Sequence, residues 1–112
     1  MRKIILSDVP KLARIIKSTN TREIILKAYE DGKKDGADAE VIAASVFFTV
    51  FESCGDTKTE NQIYELLAGI MEKTPEEVQG LTLDKLIEDI KVISEENNLV
   101  SFFKSALKVA TP

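Results

Sequence analysis

A chain of 112 residues is long enough to bury one core and too short for that core plus a separate catalytic module, so a single domain over residues 1–112 is expected. Hydrophobic residues at 44% and charged residues at 30% argue against disorder along most of the length. The formal net charge of −4 argues against a duplex-binding surface, which normally needs a basic stripe.

The chemistry is sparse. The chain has no histidine, which removes the commonest general base and metal ligand. Its one cysteine, Cys54, makes neither an internal disulfide nor a zinc set. With no base or cation beside it in the sequence, it reads as a small structural residue. No nucleotide-binding glycine pattern is present, and Asp31 to Asp38 lacks the residue order of a calcium loop. The adjacent pairs Glu76/Glu77, Glu88/Asp89 and Glu95/Glu96 diverge by about 100° on a helix, which suits caps and solvated faces rather than acid/base work. The expectation is a non-enzymatic protein without cofactor or metal.

The longest apolar run, Val41 to Phe51 interrupted by Ser45 and Thr49, falls short of the ~20 residues that cross a bilayer. The start, Met1-Arg2-Lys3-Ile4-Ile5-Leu6, opens like a signal peptide but stops at Ser7-Asp8 with no cleavage site. A cytoplasmic protein is expected. Charge is unevenly spread: residues 1–36 hold nine Lys/Arg against five Asp/Glu, and residues 37–97 hold four against fourteen. Such a division suits either an ordinary solvated surface or contacts between copies.

In chain order, Lys3 to Leu6 reads as a short strand or an extended lead-in. Asp8, with Pro10 in the first turn, starts a helix that turns Val9, Leu12, Ile15 and Ile16 inward. Ser18-Thr19-Asn20 breaks it. A second helix runs from Thr21 to about Lys34 with Ile24, Ile25, Ala28 and Tyr29 as its apolar side, and Gly32 and Gly36 bracket its end. Asp38 caps a third through Ser53, closed by Gly55. This stretch, about 38–53, is apolar nearly all round and is expected at the centre of the fold.

Thr57-x-x-Glu60 and Thr59-x-x-Gln62 are capping-box candidates for a fourth helix ending near Lys73, with Ile63, Leu66, Leu67, Ile70 and Met71 on one face. Thr74-Pro75-Glu76-Glu77 starts a short helix ended by Gly80. Thr82 and Asp84 start the next, striped by Leu83, Leu86, Ile87, Ile90 and Ile93 to about Glu96. After the Asn97-Asn98 break, Leu99, Phe102, Phe103, Ala106, Leu107 and Ala110 stripe a last helix. Six to seven short helices and no strand pair make an all-α domain. Phe47, Phe48 and Phe51 read as core, whereas the last helix is free either to dock on that core or to be lent to a partner.

From Tyr64 to Leu107 the order of motifs is Glu65-Leu66-Leu67-Ala68-Gly69-Ile70, Thr74-Pro75-Glu76-Glu77-Val78, Leu81-Thr82-Leu83-Asp84-Lys85-Leu86-Ile87, then Glu95-Glu96-Asn97-Asn98-Leu99 and Phe102-Phe103-Lys104. This order resembles the tail assembly chaperones of long-tailed, non-contractile bacteriophages and related prophages. The resemblance implies a chaperone of the bacterial host cytoplasm that holds the long helical tape-measure protein, contacts the tail-tube protein and self-associates. It also implies manufacture in two lengths by a translational frameshift, of which a chain ending Ala110-Thr111-Pro112 would be the shorter. Partner contacts would come from Leu99, Phe102, Phe103 and Leu107, with Phe47 and Phe51. Alanine at both Phe102 and Phe103 would then abolish partner solubilisation with helix content intact. The alternative is a small helical adaptor or transcriptional regulatory domain, whose basic segment would be residues 11–34.

Overall fold

The computed structural model describes residues 1–36 and 38–110; Thr111 and Pro112 lie outside it. Among the described residues seven helices follow one another: α1 (Asp8–Thr19), α2 (Arg22–Lys34), α3 (Ala39–Glu52), α4 (Thr57–Met71), α5 (Pro75–Gln79), α6 (Leu83–Glu96) and α7 (Leu99–Val109). Among the described residues there is no strand, and Lys3 to Ile5 is irregular lead-in. The radius of gyration of 13.0 Å is close to the about 13 Å expected for one compact domain of this size.

Local chemistry sets the helix boundaries. The capping box at α5 is complete: the Glu77 N–H donates to Thr74 Oγ1 at 3.2 Å and the Thr74 N–H donates to Glu77 Oε1 at 3.0 Å. Those bonds favour the ionised carboxylate, and the Glu77 pKa lies below its ordinary value. Thr82 and Asn98 cap α6 and α7 by accepting the N–H groups of Lys85 and Ser101. Neither box expected at α4 forms. Asp56 caps instead, accepting the Thr59 N–H at 2.7 Å. An ionised carboxylate at the N-cap meets both the free N–H groups and the helix dipole. Nor is Gly55 a left-handed C-terminal glycine, because α3 ends in Ser53 with right-handed geometry. Left-handed residues end α1 at Asn20 and α4 at Glu72, and Gly36, φ 68°, follows the cap of α2.

Helix α3 sits in the middle, packed against α2, α6, α7 and α1. Helix α1 packs on α4 and α7, and α5 folds back on α4. The α3 contribution to the core is Ile42, Ala43, Val46, Phe47 and Val50. Its encirclement is incomplete, because Val41 is exposed and Phe48 and Phe51 are half-buried. Along α4 the whole predicted stripe is buried. On α2 the apolar side is narrower than expected: Ile25 and Tyr29 are buried and Ile24 is exposed. Gly32 lies inside α2 and not at a frayed end, and it is there because of α3. A Cβ at Gly32 would stand 2.7 Å from Ile42 Cγ1. Gly32→Ala is therefore expected to lower stability by about 1–2 kcal/mol, overpacking outweighing the ~1 kcal/mol that alanine gains in helix propensity. Urea unfolding measures this, and a more stable variant would show that Ile42 yields freely.

The N-terminal residues stitch the bundle together. The Arg2 N–H donates to the Ile70 carbonyl at 3.0 Å at the end of α4. The Ile4 N–H donates to Asn97 Oδ1 at 2.9 Å, between α6 and α7. The Arg2 guanidinium forms a two-pronged pair with Asp8 at 2.8 and 2.9 Å, and Asp8 also accepts the Ile5 N–H at 2.9 Å. No helix of the described residues is long and apolar enough to cross a membrane.

Candidate binding surface

The residues expected to meet a partner lie, with one exception, inside this chain. Leu99, Phe102, Phe103, Leu107 and Phe47 are all buried, Phe103 completely. The Phe103 ring meets the Phe47 ring edge-on at 5.4 Å between centroids, and Tyr29 and Phe102 flank it at 6.4 and 5.8 Å. Phe102 and Phe103 therefore close the core, and α7 presents only Lys104, Ser105, Lys108, Val109 and Ser101 outward. In this structure α7 is docked on the chain's own core, one of the two outcomes that the sequence leaves open. A stripe at i, i+3, i+4 and i+7 marks a face that must be covered, and here α1 and α3 cover it.

Phe51 is the exception, and it leads to a surface the sequence reading had passed over. Phe48 and Phe51 of α3, Tyr64 and Leu67 of α4, Val78 and Gln79 of α5, Leu81 between α5 and α6, and Leu83 and Leu86 at the start of α6 line a groove of about 270 Å³. The helices position these side chains simply. Helix α6 docks on α3 through its deeper residues Ile90 and Ile93, which are buried. Nearer the start of α6, Leu83 is 68% exposed and Ile87 partly so. Meanwhile α5, stapled by its capping box and anchored by buried Val78, forms the opposite wall. The rings of Phe51 and Tyr64 lie 6.3 Å apart at 45° along the floor.

Polar chemistry at the groove is confined to its edge. The Tyr64 hydroxyl donates to Glu60 Oε1 at 2.8 Å. That bond, which the neutral hydroxyl makes, together with partial burial and the Glu60 charge, pushes the Tyr64 pKa upward. Cys54 lies near this end, its Sγ 3.5 Å from the Asp56 carbonyl oxygen. Among the described residues, no group of three His, Cys, Asp or Glu side chains is arranged to hold a metal. What the groove offers is contact area and shape for an apolar side chain or a helix face.

The signal for this surface was present in the sequence but easily read as core. Leu81 and Leu83 flank the cap residue Thr82, and Leu83 to Ile93 forms an arc wider than one neighbouring helix covers. The basic segment 11–34, in contrast, is divided between two helices. Lys11 and Arg14 of α1 share a small pocket with Glu65 and Gln62 of α4, while the cations of α2 are interspersed with Glu23, Glu30 and Asp31.

The class defined by these features is a single-domain, all-helical fold with an apolar groove on one face. Comparison with family models, with curated proteins and with solved structures finds no match to this chain.

Proposed function

We propose that the protein is a non-catalytic binding domain that receives an apolar helical segment of another protein in the groove between α3, α4, α5 and α6. Specifically, we propose a tail assembly chaperone of a long-tailed phage or prophage, acting in the host cytoplasm on the tape-measure protein and helping to recruit tail-tube subunits. The observation that carries the binding reading is the groove itself: half-buried Phe48, Phe51, Tyr64, Leu81 and Leu86 beside a largely exposed Leu83. Apolar side chains gathered at one concave place serve contact with a partner better than they serve the monomer. A chaperone for a long helical protein requires that feature and no reactive group, and helix-in-groove docking supplies the mode. The motif order from Tyr64 to Leu107 supports the identity of the partner. It coincides with α4 to α7, three of which build the groove.

Co-expression with the tape-measure protein tests this reading. The wild-type chain is expected to hold that protein in the soluble fraction. Leu83→Gln is expected to weaken the association about tenfold or more, since one leucine anchor buried by the partner is worth about 1.5–3 kcal/mol. Leu83 is open to solvent in the free chain, so the unfolding temperature of the variant should be unchanged. A tape-measure protein that stays insoluble beside the wild-type chain overturns the chaperone assignment. A variant that solubilises as well as wild type overturns the groove.

A further inference from the structure

The cavity where α1, α2 and α7 meet is lined by two cations without counter-charges, and we propose that it binds a phosphate group, free or carried by a small molecule. Ile16 and Lys17 of α1, Asn20 in the turn that follows, Arg22 at the start of α2 and Ala110 after α7 line about 340 Å³. None of these five belongs to the groove. Among the described residues no acid lines the cavity, and neither Lys17 nor Arg22 enters an ion pair. Arg22 also borders Glu23, Glu30 and Asp31 along α2, yet pairs with none of them. Its Nε–H is buried and has no hydrogen-bond acceptor. A buried guanidinium donor without an acceptor is uncommon in a folded protein, and it points to an acceptor supplied from outside the chain. The neighbouring carbonyls are engaged elsewhere: those of Ile16 and Lys17 accept the N–H groups of Thr21 and Asn20 at 3.3 and 3.2 Å. The turn is also held in place, because the fully buried Thr21 sets its hydroxyl 2.9 Å from that of Thr19. Two cations with no acid beside them suit a dianion, which a phosphate is and a single carboxylate is not. The arginine fork matches two phosphate oxygens, the lysine adds a point charge, and Asn20 carries an amide that can donate. Ile16 and Ala110 supply an apolar wall for the body of an ester.

The full chain is titrated with inorganic phosphate and with phenyl phosphate at fixed ionic strength and about pH 7.5, where a phosphate monoester is largely dianionic. Backbone amide signals of Lys17, Asn20, Arg22 and Ala110 report the binding, and saturable shifts there are expected with both probes. Equal affinities assign the cavity to free phosphate. An affinity about threefold or more higher for phenyl phosphate assigns it to a small organic ester packed on Ile16 and Ala110. Either result upholds the site. Arg22→Gln should weaken binding about tenfold or more, and Arg22→Lys, which keeps the charge and loses the fork, should fall between. Lys17→Gln should cost about threefold, whereas Lys11→Gln, on the same helix but outside the cavity, should cost nothing. Circular dichroism checks each fold, and if Arg22→Gln is unfolded the exposed Lys17 carries the comparison. Binding by neither probe means that water alone meets the Arg22 Nε–H, and it overturns the proposal. So do shifts that never saturate or fall elsewhere, and so does Lys11→Gln costing as much as Lys17→Gln. The same shifts produced by benzyl alcohol, which carries no charge, overturn the phosphate assignment.

Discussion

Phe103→Ala is expected to destabilise the domain by about 3–5 kcal/mol, as large aromatic truncations in packed cores do. The ring is fully buried, and it is the one aromatic that touches three others, Phe47, Tyr29 and Phe102. Those neighbours belong to α3, α2 and α7, so the cavity opens where three helices meet and no single side chain can fill it. A small domain has ~5–15 kcal/mol of total stability, and a loss of this size removes a large share of it. Adding Phe102→Ala should unfold the chain outright. Circular dichroism against urea measures both. A double variant that keeps full helix content and an unchanged urea midpoint would return the α7 stripe to the surface and contradict the packing described above. The contrast with Leu83→Gln, which should leave the urea midpoint alone, separates core from groove in a single set of measurements.

Arg2→Met is the second large effect, with an expected loss of about 3 kcal/mol at neutral pH. Asp8 is completely buried, whereas the Arg2 side chain keeps contact with solvent. Removing the cation strands a carboxylate inside the protein, which is the costly way to break such a pair. In the intact chain, burial works against the Asp8 charge. The Arg2 hydrogen bond, the Ile5 N–H and the charges of Arg2 and Lys11 outweigh it, and the carboxyl sits below its ordinary 3.8. A carboxyl depressed in the folded state contributes stability above its unfolded pKa and loses it as pH falls through the folded value. Wild type should therefore weaken at this site below about pH 3.8. In Arg2→Met the sign reverses. Burial then raises the Asp8 pKa, protonation removes the stranded charge, and the deficit relative to wild type should narrow on acidification. Urea midpoints across acidic pH measure the difference. A constant deficit would mean that the Arg2 side chain acts through packing rather than through Asp8.

Much of the architecture was legible from local signals. Thr74-Pro75-Glu76-Glu77 announced α5 with its capping box, and Asn97-Asn98 announced the break before α7. Such signals are readable because a cap involves groups within three or four residues of each other. Where two local candidates competed, the reading failed. At α4 the threonine boxes lost to Asp56, which gains from the helix dipole as well as from the hydrogen bond. The Arg2–Asp8 clamp was hidden because Asp8 already had a sufficient local explanation as a helix start.

The candidate site was less legible than the fold. The stripes of α6 and α7 look equivalent on paper, each apolar at i, i+3, i+4 and i+7. Only position in the bundle distinguishes them: α7 packs on both α1 and α3 and its stripe is covered, while Leu83 and Ile87 of α6 stay open to solvent. Periodicity states that a face is apolar; it carries no information on how many neighbours that face receives. The helices, their order, the absence of histidine chemistry and the acidic middle of the chain were thus set by residue pattern alone. Which apolar face became core and which became groove was decided by packing, through contacts between residues too far apart in the chain for any local signal to register.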